Sequence, residues 1–267
     1  MHTIKLENEM EPKVNSFCWA ELAANSGEVA KGFYTGLLGW TCYEQKLPEG
    51  MGSYITAMVN NMPAAAMFTM SEELKKMNIP PHWASYIRVD NCDTAVAKAL
   101  ELKAEILKPA FDVMEAGRMA VIKDPCGGVV NLWEKKGHAG AAVQYKVAGT
   151  CCWNELMTHD PKLALDFYSK MFNWSVQASE FEGKTYYSLK HDDGTPIAGL
   201  MEISPDMPCP PAWVTYFTVN DLKASMEYVS KNGGIVHFGP YDVHRLGHFA
   251  ACQDAEGAHF SLFQYSA

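Results

Sequence analysis

The chain has 267 residues, 48% of them hydrophobic and 20% charged, a composition that suits one or two globular domains with real cores. A net charge of −9 with no basic run argues against binding to nucleic acid or to anionic lipid. No apolar stretch is long enough to span a bilayer, and the polar, acidic start lacks the apolar centre of a signal peptide, so a cytoplasmic protein with no membrane partner is expected.

In chain order, residues 14–24 read as a strand. Asn25 and Ser26 offer capping oxygens to a helix whose apolar positions are Val29, Ala30, Phe33, Tyr34, Leu37 and Leu38, ended by Gly39. Residues 54–59 and 64–70 read as strands joined by the turn Asn60-Asn61-Met62-Pro63. Residues 71–81 form a polar connector. A strand over 83–89, a helix capped near Asn91 and ending near Leu102, and strands at 106–107, 119–123 and 129–134 follow, with Asp124-Pro125-Cys126-Gly127-Gly128 as a hairpin turn. Residues 139–147, rich in Gly and Ala, are the expected linker between a domain at 1–138 and one at 148–267. The second domain opens a helix at Asp160-Pro161, and its last helix runs from Asn220 to Gly233-Gly234.

The chain repeats itself. Trp19, Glu21, Phe33, Tyr34 and Trp40 return as Trp153, Glu155, Phe167, Tyr168 and Trp174, always 134 residues on. Trp83, Tyr86, Asp124, Gly127 and Leu132 return as Trp213, Tyr216, Asp254, Gly257 and Leu262, always 130 on. Each domain thus holds two β-α-β-β-β modules. The expected fold is α+β, with four βαβββ modules in two paired-module domains, each a curled mixed sheet forming a concave cup.

With its Phe-Tyr helices and its Asp-Pro-x-Gly-type closing turns, the chain resembles the vicinal oxygen chelate superfamily of glyoxalase I, bleomycin-resistance proteins and extradiol dioxygenases. More narrowly, it resembles a duplicated glyoxalase-like group that includes a mycobacterial antigen. The resemblance covers residues 14–135 and 148–265 and implies a small-molecule ligand in one or both cups. In metal-dependent members the ligands come from the first strand of each module and the last strand of a pair. Counting from the motifs puts those positions at Trp19, Ala84 and Asn131, and at Trp153, Val214 and Ser261. Trp, Ala and Val cannot bind a divalent ion, and Asn and Ser are weak donors, so neither a metal nor another cofactor is expected. A shift of two residues would reach His82 in the first half and only Ala212 in the second.

Strand alternation puts Glu21 on one face with Trp19, and Glu155 with Trp153. Tyr86 and Arg88, Tyr216 and Thr218, Asn131 and Trp133, and Ser261 and Phe263 pair in the same way. Two roles stay open for Glu21 and Glu155: a brace hydrogen-bonded inside the cup, or an acid–base group acting with Tyr86 or Tyr216 in a lyase or isomerase. Trp19, Arg88, Asn131, Trp133, Trp153, Thr218, Ser261 and Phe263 are candidate ligand contacts. The loop 240–248 adds His244 and His248, which its counterpart lacks, so the C-terminal cup is expected to be the more polar and the functional one. A monomer or homodimer is consistent with all of this.

Overall fold

The computed structural model describes residues 11–47, 52–142, 146–181 and 183–266. The strands are β1 (Phe17–Ala24), β2 (Thr41–Lys46), β3 (Ser53–Val59), β4 (Met62–Thr69), β5 (His82–Val89), β6 (Glu105–Val113), β7 (Gly117–Lys123) and β8 (Val129–Lys135) in the first half. They are β9 (Cys151–Thr158), β10 (Ser175–Phe181), β11 (Lys184–Lys190), β12 (Pro196–Glu202), β13 (Ala212–Thr218), β14 (Ile235–Val243), β15 (Gly247–Gln253) and β16 (His259–Tyr265) in the second. The helices among the described residues are α1 (Gly27–Leu38), α2 (Glu72–Lys76), α3 (Cys92–Glu101), α4 (Pro161–Phe172) and α5 (Leu222–Lys231).

Local chemistry accounts for the helix ends. The side chains of Ser26, Asn91, Asp160 and Asp221 each accept from the backbone N–H three residues on, and α1 ends at Gly39 in the left-handed region (φ 68°). The cap of α5 is thus Asp221, one residue beyond the expected Asn220. Some elements, two of them in the first half, lack a readable pattern. Strand β2 (TCYEQK) is an edge strand with almost every residue exposed, so no alternation marks it. Helix α2, inside the expected connector, has a Ser71 cap and no buried residue.

Each half forms one eight-stranded mixed sheet, ordered β2-β3-β4-β1-β5-β8-β7-β6 and β10-β11-β12-β9-β13-β16-β15-β14. The first strands of two modules meet antiparallel at the centre, with Trp19 opposite Tyr86 and Trp153 opposite Tyr216. Each first strand also runs parallel to the last strand of its own module. This is the expected module pairing.

The helical sides of the two halves pack on each other, and the packing crosses over. One core joins Leu22, Phe33, Tyr34 and Trp40 of the first module to Phe217, Val229, Phe260 and Leu262 of the fourth. The other joins Ile87, Ile122 and Leu132 of the second to Leu156, Phe167, Tyr168 and Phe172 of the third. Burial on this scale is the main favourable term in folding. Buried polar groups fix the docking. Tyr34 donates to Asp254 Oδ2 (2.9 Å) and accepts from Trp83 Nε1 (2.8 Å); Tyr168 donates to Asp124 Oδ2 (2.8 Å) and accepts from Trp213 Nε1 (2.8 Å). The other oxygen of each aspartate holds its own turn: Asp124 accepts from Cys126 N and Gly128 N, Asp254 from Glu256 N and Ala258 N. At the centre, Ser85 donates to Asn154 Oδ1 (2.8 Å) and lies 3.2 Å from Thr215 Oγ1, its own repeat partner. Trp40 and Trp174 each donate to a carbonyl leading into the other half, Gly149 O and Asn15 O.

The start of the expected linker, residues 139–142, is fastened to the first half, and 143–145 lie outside the described residues. Just after β8 the chain turns back over the N-terminal cup. His138 N donates to Ala116 O, Ala141 N to Cys18 O and Ala142 N to Pro63 O. Trp133 Nε1 donates to His138 O (2.9 Å), and the His138 ring meets Trp19 edge-on at 4.7 Å. Gly140 permits this approach: its φ is +111°, and a Cβ there would lie 2.2 Å from Cys18 O. Gly140→Ala is therefore expected to lift this strap off the cup and cost about 1–3 kcal/mol. A red shift and rise in exposure of tryptophan emission, with a lowered denaturation midpoint, would report it.

Candidate functional site

The concave face of each sheet gathers the same four groups. On β1, Trp19 and Glu21 share a side; Tyr86 comes from the neighbouring β5 and Tyr54 from β3. Tyr86 donates to Glu21 Oε2 (2.5 Å), Tyr54 hydrogen-bonds the same carboxylate, and Trp19 Nε1 donates to Tyr54 OH (3.3 Å). In the second half Tyr216 donates to Glu155 Oε1 (2.9 Å), Tyr186 hydrogen-bonds that carboxylate, and Trp153 Nε1 donates to Tyr186 OH (2.9 Å). The tighter Trp153–Tyr186 contact needs Gly199, which stands where the first half has Ala66; a Cβ there would fall 2.0 Å from the Tyr186 hydroxyl. Sequence alternation finds the Glu and one Tyr of each cluster. It misses Tyr54 and Tyr186, because their strands carry no motif and join the cup only through the sheet order.

Burial pushes both carboxyls above the usual carboxylate range, and the hydrogen bonds from the phenols oppose that shift. The phenols are raised in turn, by burial first and then by the neighbouring carboxylate. Glu155 is buried at 8% exposure, whereas Glu21 is only partly buried. Asn131 and Ser261 stand beside Tyr86 and Tyr216 and each hydrogen-bonds that phenol.

The two cups differ in what closes them. Trp19, Tyr86 and Trp133 form a buried cluster with Cys18 under the strap. Arg88 is committed as well: it donates to Pro12 O (2.6 Å) and pairs with Glu11, which also binds Lys135. In the second cup Trp153, Phe249 and Phe263 keep partial exposure, and among the described residues no segment crosses it as 137–142 crosses the first. Its wall is aromatic. Phe249 meets Tyr216 at 5.8 Å, Tyr241 at 5.8 Å and Phe238 at 5.9 Å, and Phe263 meets Tyr265 at 4.8 Å. The register puts Lys108, Phe111 and Met119 where the second half has Phe238, Tyr241 and Phe249. Thr218, opposite Phe263, is buried and its hydroxyl has no partner of hydrogen-bonding geometry among the described residues.

His244 and His248 do not join this cluster. His244 is exposed in the β14–β15 turn. His248 alternates with Ala250 and Cys252, which point into the inter-half core, and lies 3.9 Å from Asp242 at the exposed end of β15. The polarity expected from them in the C-terminal cup is therefore absent, and that cup is distinguished instead by its aromatic wall. Two clefts lie elsewhere: one of about 500 Å³ between Gly39, Asn60, Asn61, Val147 and Asn220, and one of about 220 Å³ between α1 and α5. Neither holds a buried carboxylate bonded to phenols, and in the second Glu28 is exposed, so the concave faces are the better candidates.

The residues at the family's metal positions do not make a donor set. Trp19 and Trp153 turn their indole nitrogens to phenols, Ala84 and Val214 have no donor atoms, and Asn131 and Ser261 already bond Tyr86 and Tyr216. Among the described residues there is no cluster of three or more His, Cys, Asp or Glu able to hold an ion. Also among them, no helix is long and apolar enough to cross a membrane.

Comparison with known proteins agrees with this architecture. The chain is 37% identical over 248 residues to the Mycobacterium tuberculosis protein named "Putative glyoxylase CFP32", covering 92% of this chain and 93% of that one. It is 29% identical over 256 residues to "Anthracycline biosynthesis protein DnrV" of Streptomyces peucetius, covering 92% of both. Its fold matches a variant of 4-hydroxymandelate synthase from Streptomyces coelicolor (TM-score 0.62, 13% identity, 97% of this chain and 94% of that one). It also matches a Mn(II)-bound glyoxalase from Novosphingobium aromaticivorans (TM-score 0.62, 11% identity, 94% and 82%). The family model for the Glyoxalase/Bleomycin resistance protein/Dioxygenase superfamily matches twice, over residues 16–132 and 150–262, the two paired-module halves. The chain belongs to the Glyoxalase/Bleomycin resistance protein/Dioxygenase superfamily.

Proposed function

We propose that the protein binds a small planar aromatic molecule in its C-terminal cup, without a metal at the cup centre. The observation that carries this reading is the difference between the copies: the first cup is crossed by residues 137–142, while the second presents Trp153, Tyr216, Phe238, Tyr241, Phe249 and Phe263 around one buried carboxyl. Aromatic walls suit a flat apolar ligand, and a few convergent polar groups fix its orientation. The name of one relative, an anthracycline biosynthesis protein, is in keeping with an aromatic ligand. Titration with a hydroxyanthraquinone, read by tryptophan quenching, tests it. Phe249→Ala should weaken binding about tenfold, as loss of about 1.4 kcal/mol of stacking and burial does. Met119→Ala, the matching change in the first half, should not. Binding that survives Phe249→Ala and Trp153→Ala but disappears with Arg88→Ala would place the site in the N-terminal cup.

A second reading is favoured by Glu155 itself. A carboxyl raised above the usual carboxylate range by burial and held by two phenols can pass a proton to or from a bound carbonyl or enol, which is lyase or isomerase chemistry. In that case Glu155→Gln abolishes turnover and leaves ligand affinity within a few-fold, since shape is kept. If the carboxylate is only a brace, turnover and affinity change together or not at all.

A further inference from the structure

We infer that His237 and His259 form a site for a divalent transition metal ion on the concave rim of the C-terminal sheet. The two imidazoles come from β14 and β16, which are separated by β15. His259 shares its face with Ser261 and Phe263, the cup side, while Phe260 and Leu262 enter the inter-half core. His237 lies in a bulge of β14 between Val236, which packs on that core, and Phe238, which lies against Phe249 in the cup wall. Between the two strands lies β15, with Gln253 opposite His259 and Ala251 opposite Phe238, and the rings stack at 5.1 Å and 22°.

Neither ring is committed. Other histidines of the chain have partners: His82 bonds Pro80 O, His159 bonds Cys209 O, His191 bonds Ser16 and His138 is packed on Trp19. His237 and His259 are exposed, with no hydrogen bond to protein among the described residues. The first half makes the contrast plain. The matching residues, 130 positions earlier, are Leu107 and Val129, both exposed. The sheet thus folds with an apolar pair at this place, and the second half carries two metal-binding nitrogens there instead.

Neutral imidazole is the commonest metal ligand and suits Cu, Ni and Zn. A shared ion at about 2.1 Å from each nitrogen brings the two nitrogens to about 3 Å. Exposed rings reach that by rotating about their outer side-chain bonds. A chain of net charge −9 favours a cation. With only two protein donors the site is exchangeable, and its other positions are open to water or to a ligand beside Phe238. It is distinct from the cup-centre positions, whose residues cannot hold a metal.

Calorimetric titration of untagged protein with Ni(II) and with Cu(II) tests the assignment. One saturable ion per chain is expected, bound more tightly for Cu(II) than for Ni(II). His237→Ala or His259→Ala should each weaken it at least tenfold, while His244→Ala and His248→Ala leave it unchanged. The double change His237→Leu with His259→Val copies the first half, so it should remove the ion and keep the thermal midpoint. Wild-type affinity in either single variant, or no saturable site in the parent, would overturn the proposal.

Discussion

Asp124→Ala should lower stability by about 3–5 kcal/mol, and Asp254→Ala by a similar amount, in denaturant unfolding at neutral pH. Each aspartate is almost fully buried, at 2% and 6% exposure. Each accepts two backbone N–H groups of its own turn and one tyrosine hydroxyl from the other half. Alanine leaves all three donors without an acceptor, and Tyr168 or Tyr34 also loses the orientation in which it receives Trp213 or Trp83. Tyr168→Phe and Tyr34→Phe are the milder controls, at about 1–3 kcal/mol each, because one oxygen of the aspartate still holds its turn. A loss below 1 kcal/mol for both aspartates would show that the halves dock through apolar contacts alone.

The second expected result concerns pH. Burial raises the Glu155 carboxyl above its unfolded value, so between the two the native state holds a proton that the unfolded chain has released. Its contribution to stability is fully present below the usual carboxylate range near pH 4.5 and is lost as pH rises through the raised value. Glu155→Gln cannot ionise. At pH 4 it should be less stable than the parent by about 1–3 kcal/mol, through a mismatched amide against two phenols. That deficit should shrink steadily as pH rises toward 8. Unfolding of both proteins across this range measures it. A deficit independent of pH would mean that Glu155 titrates as it does in the unfolded chain. Glu21→Gln should behave in the same direction, since burial is also the leading cause of its shift.

Much of this molecule is written along the chain. The repeat of Trp19, Glu21, Tyr34 and Trp40 at a constant spacing fixes two equal halves, and helix ends follow from Ser26, Asn91 and Asp160, because capping is local chemistry. Alternation in β1, β5, β9 and β13 also determines that Glu21 and Glu155 share a face with their tryptophans, since strand side chains have a period of two.

What the linear chain does not carry is contact between distant segments. Tyr54 and Tyr186 reach the carboxylates only because β3 and β11 lie two strands away in the curled sheet. Tyr34 meets Asp254 rather than Asp124 because the halves dock crosswise, a choice made by two cores that assemble only in three dimensions. The same holds for residues 137–142: small residues read as a linker, yet Gly140 has the left-handed backbone and Trp133 the indole donor that fasten them over the first cup. His244 and His248, four apart in sequence, end on the outer side, while His237 and His259, 22 apart, meet across β15. Spacing along a chain determines the face of one element, but the packing of elements decides which faces meet.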